Sequence, residues 1–315
     1  LINAMGAIRG LPDDYDGWER AGATGWGWKD VLPYFLKFER DTDFSGPLHG
    51  SEGPVPIRRI DSASWPPFSR AAAESMQGRG LTFGPDMNGV HGEGVFPFPL
   101  NNTAQGRVSM AMAYLTAEVR ARPNLKILSR RLAQQILFRE GRATGVWVRS
   151  ETGVEEHQGS EIILACGTLQ TPVLLLRSGL GKADALRALD IEVIADVPGV
   201  GENLHDHPFV TVAGFLKRSA RQPDSLRSPT CVVGRRSSRT DDPMPCDLYL
   251  GVAGKVSWHP FGKRLAGMNC VLYGPRSRGR VSLSRVQGEL RPEFDFNLLR
   301  EETDLRCLQI GRAHV

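Results

Sequence analysis

The sequence predicts an α/β (α+β) fold that includes an antiparallel sheet, and three observations predict it. The first is a strand, turn and helix pattern from Glu161 to Gly181. The second is a set of alternating apolar and polar runs between Asp247 and Leu283. The third is composition: 35 glycines and 21 prolines in 315 residues exceed the average share and favour a loop-rich mixed fold over a helical bundle.

The first pattern organises the rest. Glu161-Ile-Ile-Leu-Ala-Cys-Gly167 is an apolar run ending in small residues, which suits a parallel strand buried on both faces and followed by a tight turn. Thr171 can then cap a helix, Pro172 can take its first position, three leucines follow, and Gly179 can take the left-handed stop after Ser178. Many α/β proteins carry such turns with nothing bound. A glycine between strand and helix nonetheless lets backbone approach a ligand, because no Cβ intervenes and the helix N-terminus favours anions. That makes this turn a candidate cofactor edge.

Composition removes several alternatives. The chain length suits roughly two domains. A net charge of +4 is too small to imply nucleic acid. The densest cluster, Arg235-Arg236-Ser-Ser-Arg239, is cut off by Asp241 and Asp242, and reads as a solvated loop. Cys166, Cys231, Cys246, Cys270 and Cys307 are odd in number and lack paired short spacing, so neither a zinc site nor a disulfide framework is expected and a reducing compartment is. No apolar run approaches the roughly 20 residues of a membrane span. Leu1 to Met5 reads as the middle of a protein, and 310–315 reads as an adapter-derived tail, set aside from fold reasoning.

Taken in order, Asn3 to Trp18 is rich in small and turn residues and suits a segment passing close to something flat. Trp26 to Phe38 predicts an amphipathic helix with core aromatics. His49, beside glycine, reads as a turn residue without chemistry. Val55 to Ile57 predicts a short strand, and 64–80 a helix with an alanine-rich face. A helix after Ser109 would turn Met112 and Leu115 to the core. Asn124 to Leu128, 129–138 and Gly141 to Val148 read as extended. Ala183 to Leu189 follows as a helix and Val193 to Pro198 as an extended run. In Gly199-Val-Gly-Glu-Asn-Leu-His-Asp-His207 alternation puts His205 and His207 on one side, but no third ligand is near in sequence, so no metal is expected. The polar, arginine-rich 208–245 reads as a mobile covering loop. Asp247 to Leu250, Met268 to Tyr273 and Gly279 to Leu283 read as strands of one antiparallel sheet, with Pro275 to Gly279 joining two of them.

Several of these strings together carry a resemblance. Gly167-Thr-Leu-Gln-Thr-Pro-Val-Leu-Leu-Leu-Arg-Ser-Gly-Leu-Gly181 resembles a signature of the glucose-methanol-choline (GMC) oxidoreductases, flavoproteins that oxidise alcohols. Asn3 to Trp18, Gln105 to Leu115, Gly199 to His207 and Pro275 to Gly279 are similar to further blocks of that family, in its choline-dehydrogenase-like branch. The likeness covers residues 1 to 309.

It implies an FAD-binding Rossmann-like domain interleaved with an antiparallel-sheet substrate domain: 1–57 and 116–200 in the former, 58–115 and 201–309 in the latter. It implies FAD as cofactor. Asn3, Ala4, Met5 and Gly6 would line the flavin, the backbone N–H and C=O of Ala133 would meet the adenine, and Ala165, Cys166 and Gly167 would form the cofactor edge. The reaction implied is hydride transfer from the CH–OH group of a small alcohol, with oxygen or a quinone as acceptor. The family's catalytic histidine lies beyond Asp304 and its G-x-G-x-x-G fingerprint before Leu1, while His91, His157, His259 and His314 offer no substitute. The chain therefore reads as an interior fragment, silent by itself, of a cytoplasmic or membrane-peripheral enzyme. A non-catalytic flavin-binding module or pseudoenzyme on the same scaffold is the other reading.

Overall fold

The computed structural model describes residues 5–238 and 245–312. The chain forms two units, each assembled from separated stretches. The first comprises Leu1–Leu125, Pro208–Gly274 and Leu305–Val315, and the second Lys126–His207 and Pro275–Asp304. These cuts differ from the expected ones at 57, 115 and 200. Residues before 57 join those after it because Gly6 and Arg58 both bridge to Leu100. Turn chemistry shows where a chain bends; it does not show which body the next stretch joins.

The first unit is built on a five-stranded antiparallel sheet. Its order is Phe209–Phe215, Leu265–Leu272, Leu248–Ala253, Val232–Arg236 and Gly94–Pro97. The alternation at 247–250 and 268–273 correctly marks two of these strands. Two others come from 208–245, the stretch expected to be a covering loop. Their short apolar runs, Phe209 to Ala213 and Cys231 to Val233, are hidden in the average by the polar residues around them. Gly279 to Leu283 does form a strand, Arg280–Val286, but it pairs with Glu289–Asp295 in the second unit.

Helix Pro67–Gly78 packs on one face of this sheet. Val95, Gly234 and Leu250 lie side by side in register, and a Cβ on Gly234 would meet Met76 Sδ at 2.7 Å. Met76, Phe96, Leu248, Leu250 and Leu272 are fully buried around this contact, each contributing about 1.5–3 kcal/mol through removal from water. Arg235, expected in a solvated loop, is also buried. Its guanidinium donates to the carbonyls of Gly92 and Val90 and lies 5.2 Å from the Phe96 ring centroid. Arg239, Asp241 and Asp242 lie outside the described residues.

Near the start of the chain, the expected turn-rich run is a helix, Pro12–Arg20. Pro12 opens it, and the Asp14 carboxylate accepts from Leu11 N at 2.7 Å, so the residues read as turn signals serve as helix-start signals. Helix Trp28–Phe38 follows, and Tyr15 packs against both Trp28 and Phe35 with centroids 5.7 Å apart, but the expected core aromatics are not found: no residue of this helix is fully buried, and Trp26 and Tyr34 are 56% and 72% exposed. Ser109 caps Met110–Tyr114 through Met112 N. Met112 itself, expected in the core, is 62% exposed, because the helix ends after five residues and buries no face.

The second unit contains the antiparallel strands Leu132–Arg139, Arg142–Ser150 and Gly153–Gln158, helix Gly167–Arg177, and the hairpin Arg280–Val286 with Glu289–Asp295. The helix begins at Gly167 with Cys166 at its cap, five residues before the expected cap Thr171, and Pro172 stands inside it. Gly179 provides the expected stop at φ +84°, and a Cβ there would strike the Glu192 carbonyl. The apolar run before Gly167 is not a buried strand: residues 162–165 have no ladder partner among the described residues, and Ile163 is 81% exposed. Asn124 to Leu128 is likewise unpaired. Sequence pattern expresses a preference for strand, but a strand also needs a neighbour to bond. Helix Glu302–Arg312 takes in 310–312, which had been set aside as a tail.

Candidate functional site: a basic cleft and a buried charge cluster

A cleft of about 1090 Å³ in the second unit brings Ala133 and Cys166 together. Local strand irregularity creates one wall. Ala133 pairs with Val148 and Gln135 with Trp147, so Gln134 is an extra residue that breaks the ladder beside Ala133. The next residues restore order, because Ile136 N donates to Ser178 Oγ at 2.8 Å and Ser178 Oγ donates to the Leu174 carbonyl at 2.6 Å. That pair fixes helix Gly167–Arg177 against the strand.

The N-terminal end of this helix forms the opposite wall. Cys166 and Gln170 line the cleft, and Ala165 and Gly167 flank Cys166 in the chain. Gly167 has φ +84°, and nothing lies within 4 Å of where its Cβ would be. Its freedom is therefore conformational and leaves open space beside the backbone. Arg131, Arg149, Arg177, Arg285 and Arg291 also line the cleft, with Glu289 the one acidic residue among them. Arg131 pairs with Glu155 at 2.9 Å, and Arg177 donates to the Leu290 carbonyl at 3.1 Å. Arg177 stands in the last turn of the helix and the other guanidiniums come from the strands and the hairpin, so the lining as a whole suits an anionic ligand.

Next to it, the Gly199 to His207 turn folds back on the same helix. Thr168, Pro172, Asn203 and His205 line a smaller pocket of about 250 Å³. Gly201, two residues before Asn203, is obligatory, since a Cβ would strike the Val281 carbonyl. Burial holds His205 below its ordinary range, and the charges of Arg278 and His207 lower it further.

Met5 and Gly6 belong to the first unit. Met5 has φ +66°, and its carbonyl accepts from Asn101 N at 2.9 Å. A Cβ on Gly6 would meet Phe98 Cζ at 2.7 Å. The flat group against this glycine is thus a phenyl ring of the chain itself. Asn3 and Ala4 lie outside the described residues.

His49, read from sequence as a turn residue, sits in a buried charge cluster. Its Nε2 is 2.8 Å from Asp86 Oδ2, and its Nδ1 is 3.1 Å from Asp41 Oδ2 and 3.4 Å from Glu39 Oε1. Arg59 Nη1 donates to both Asp41 oxygens at 2.8 and 2.7 Å, Arg59 Nη2 donates to Asp86 at 2.8 Å, and Arg9 pairs with Glu39. Glu39, Asp41 and His49 present possible metal-ligand atoms within 4.8 Å of one another. Both carboxylates are already held by guanidiniums, whose charge opposes a metal ion there. Glu39, Asp41 and His49 are close in the chain, but Arg9, Arg59 and Asp86, which complete the cluster, reach them only through the fold.

The remaining histidines have other surroundings. His91 packs edge-on to Trp28 at 5.5 Å, His157 lies 3.2 Å from Glu155, and His259 Nδ1 accepts from Phe261 N at 3.3 Å. All five cysteines are free thiols, four of them buried.

With this geometry in place, comparison with known proteins assigns the class. The GMC oxidoreductase family profile matches residues 1–209, and the chain belongs to that family. A 5-(hydroxymethyl)furfural oxidase of Methylovorus sp. (strain MP688) is 38% identical over 98% of this chain and 58% of its own length. An oxygen-dependent choline dehydrogenase of Burkholderia pseudomallei (strain 1710b) is 33% identical over 97% of this chain and 59% of its own. Among solved structures, pyridoxine 4-oxidase from Mesorbium loti matches with a TM-score of 0.84 at 27% identity, covering 99% of this chain and 63% of that one. A formate oxidase of Aspergillus oryzae RIB40 shares the fold, with a TM-score of 0.86 at 20% identity. The chain thus spans less than two thirds of the length of these relatives.

Proposed function

We propose that this chain forms the flavin-holding cleft and the substrate-facing sheet of an FAD-dependent oxidoreductase acting on the CH–OH group of a small alcohol, giving an aldehyde or ketone. The observation that carries the reading is the second unit's cleft, where a disrupted strand at Ala133 faces an open helix N-terminus at Cys166 and Gly167 across a lining of arginines. This donor set fits FAD. Backbone N–H and C=O at Ala133 can pair with an adenine edge, and the arginines with the helix end can hold its phosphates. Ala165, Cys166 and Gly167 are the residues we assign to the cofactor edge. When bound, FAD supplies the hydride acceptor.

The chain's own residues bind and orient. None of the described histidines is assigned as the base that takes the hydroxyl proton: His49 is held between Asp41 and Asp86, His91 faces an indole, His157 and His259 are on the surface, and His205 and His207 are in the turn beside the cleft's helix. We therefore read residues 1–315 as able to hold flavin without turning over alcohol. The domain roles follow: the second unit holds the cofactor, and the sheet of the first faces substrate. The test is reconstitution of the purified chain with FAD. Co-elution of flavin that ADP displaces, and its loss in Cys166→Arg, are expected. Failure to retain any flavin overturns the cleft assignment, and alcohol turnover by this chain overturns the assignment of an inactive base set.

A further inference from the structure

His49 is enclosed by the first unit's own residues, with a side chain 5% exposed, and both of its ring nitrogens face carboxylates. Nε2 stands 2.8 Å from Asp86 Oδ2, while Nδ1 stands 3.1 Å from Asp41 Oδ2 and 3.4 Å from Glu39 Oε1. No hydrogen-bond donor reaches Nδ1 among the described residues. A neutral imidazole carries one N–H and one bare lone pair. Whichever nitrogen were bare would hold that lone pair against a carboxylate oxygen, with no solvent to separate them. Only the imidazolium, with a hydrogen on each nitrogen, suits both sides.

Counting charges gives the same answer. The cluster contains the carboxylates of Glu39, Asp41 and Asp86 and the guanidiniums of Arg9 and Arg59, all with side chains no more than 8% exposed. An imidazolium brings their sum to zero. A neutral ring leaves one uncompensated buried charge, which is costly. Asp43, 3.7 Å from Arg59, lies at the edge and is 35% exposed, so water screens it. The uncharged ring of Phe44 packs on His49 with centroids 5.7 Å apart.

The cluster also holds a neighbouring segment. Asp86 Oδ1 accepts from Asn88 N at 3.1 Å, Asn88 Oδ1 accepts from Arg9 N at 3.1 Å, and Asn88 Nδ2 donates to the Ala7 carbonyl at 2.9 Å. Arg9 Nη1 donates to the Leu48 carbonyl at 2.6 Å, next to His49 in the chain. Bonds therefore run without a break from the imidazole through Asp86 and Asn88 to Ala7 and Arg9.

We propose that His49 is a proton-operated latch: the imidazolium holds Asp86 in place, and loss of a ring proton as pH rises releases Asp86 and loosens residues 7–9. The latch is closed at neutral pH and opens on the alkaline side, because removing the proton leaves a lone pair facing a carboxylate. His91, which also senses Asp86 and Arg9, is held below its ordinary range by burial, so it gives up its proton on the acid side and cannot supply an alkaline response. The Tyr15 hydroxyl, which accepts from Gly10 N at 3.2 Å, is pushed up by burial and titrates later still. The inference is independent of the cleft and of its cofactor.

The test is nuclear magnetic resonance on the nitrogen-15-labelled 315-residue chain, from neutral pH to just below the titration of tyrosine. The His49 ring is expected to carry a hydrogen on both nitrogens at neutral pH and on one at the alkaline end. Across that change, exchange protection of the Arg9 and Asn88 amides should fall about tenfold or more, as for loss of a bond to a charged group. Protection of the Ile136 amide in the second unit should stay constant. His49→Gln should give the low protection already at neutral pH and abolish the alkaline response. His49→Gln with Asp86→Asn, which restores the charge sum, should recover part of it. Should neither variant fold, the wild-type series decides by itself. A bare His49 nitrogen at neutral pH, a ring that keeps both hydrogens throughout, or Arg9 and Asn88 protection that ignores the ring's deprotonation would each overturn the proposal.

Discussion

Ser178 Oγ accepts from Ile136 N at 2.8 Å and donates to the Leu174 carbonyl at 2.6 Å, so one buried hydroxyl joins the wall strand of the cleft to its helix. Replacing it leaves the Ile136 N–H without a partner in the interior. Ser178→Ala is expected to destabilise the second unit by about 1–3 kcal/mol, the cost of an orphaned buried donor. Urea unfolding measures it, and an unchanged midpoint would rule the bond out as a support of the cleft.

Gly6 and Phe98 form a second relationship that a pair of substitutions can test. Gly6→Ala places a methyl 2.7 Å from Phe98 Cζ, and overpacking of this kind costs about 1–3 kcal/mol. Phe98→Leu should restore part of the loss in the double variant. Strictly additive melting shifts would mean that the two residues do not compete for this space.

The charge cluster around His49 makes a larger prediction. Arg59→Met removes the guanidinium shared by the Asp41 and Asp86 carboxylates, each nearly excluded from solvent, and leaves them to His49. The expected cost is about 3–5 kcal/mol, as for removal of one partner from a buried ion pair. Arg59→Lys, which keeps the charge but not the fork, should lose less. Denaturant titration of both variants decides; equal loss would assign the effect to packing alone.

Stability should also respond to pH through His91. Burial holds it below its ordinary 6.5, and the nearby Arg235 charge lowers it further. Between the folded value and 6.5 the unfolded chain binds more protons than the folded one. The His91 contribution is therefore complete above 6.5 and is lost as pH falls through that window. The residue is exposed to solvent, so the slope will be shallow. Comparing melting temperatures of the wild type and His91→Gln from neutral to mildly acidic pH isolates it. Parallel curves would dismiss the effect.

How much of this was legible depends on how local the cause is. The Ser109 cap, the Gly179 stop and the strand alternation after Asp247 are written within a few residues, and each appears where the sequence places it. The GMC resemblance was equally legible, because its strings are contiguous. Helix Gly167–Arg177 was placed late because Thr171 and Pro172 make a persuasive start, yet the open backbone at Gly167 lets the turn tighten sooner. His49 was misread because Glu39, Asp41, Arg59 and Asp86 reach it only once the chain is folded. The hairpin at 280–295 was misplaced for a similar reason: alternation shows that a strand exists but does not name its partner.

The interleaving of the two units bears on how the protein is made. Gly94–Pro97 must wait for Val232–Arg236, its only ladder partner among the described strands, while the whole first stretch of the second unit is synthesised between them. That second unit in turn waits for the hairpin that follows Gly279. Neither body can close early on the ribosome, although domains generally fold from the N-terminus as they emerge. The nascent chain therefore carries an unmatched edge at Gly94–Pro97 until Val232–Arg236 has been made, an exposure of the kind that chaperones shield.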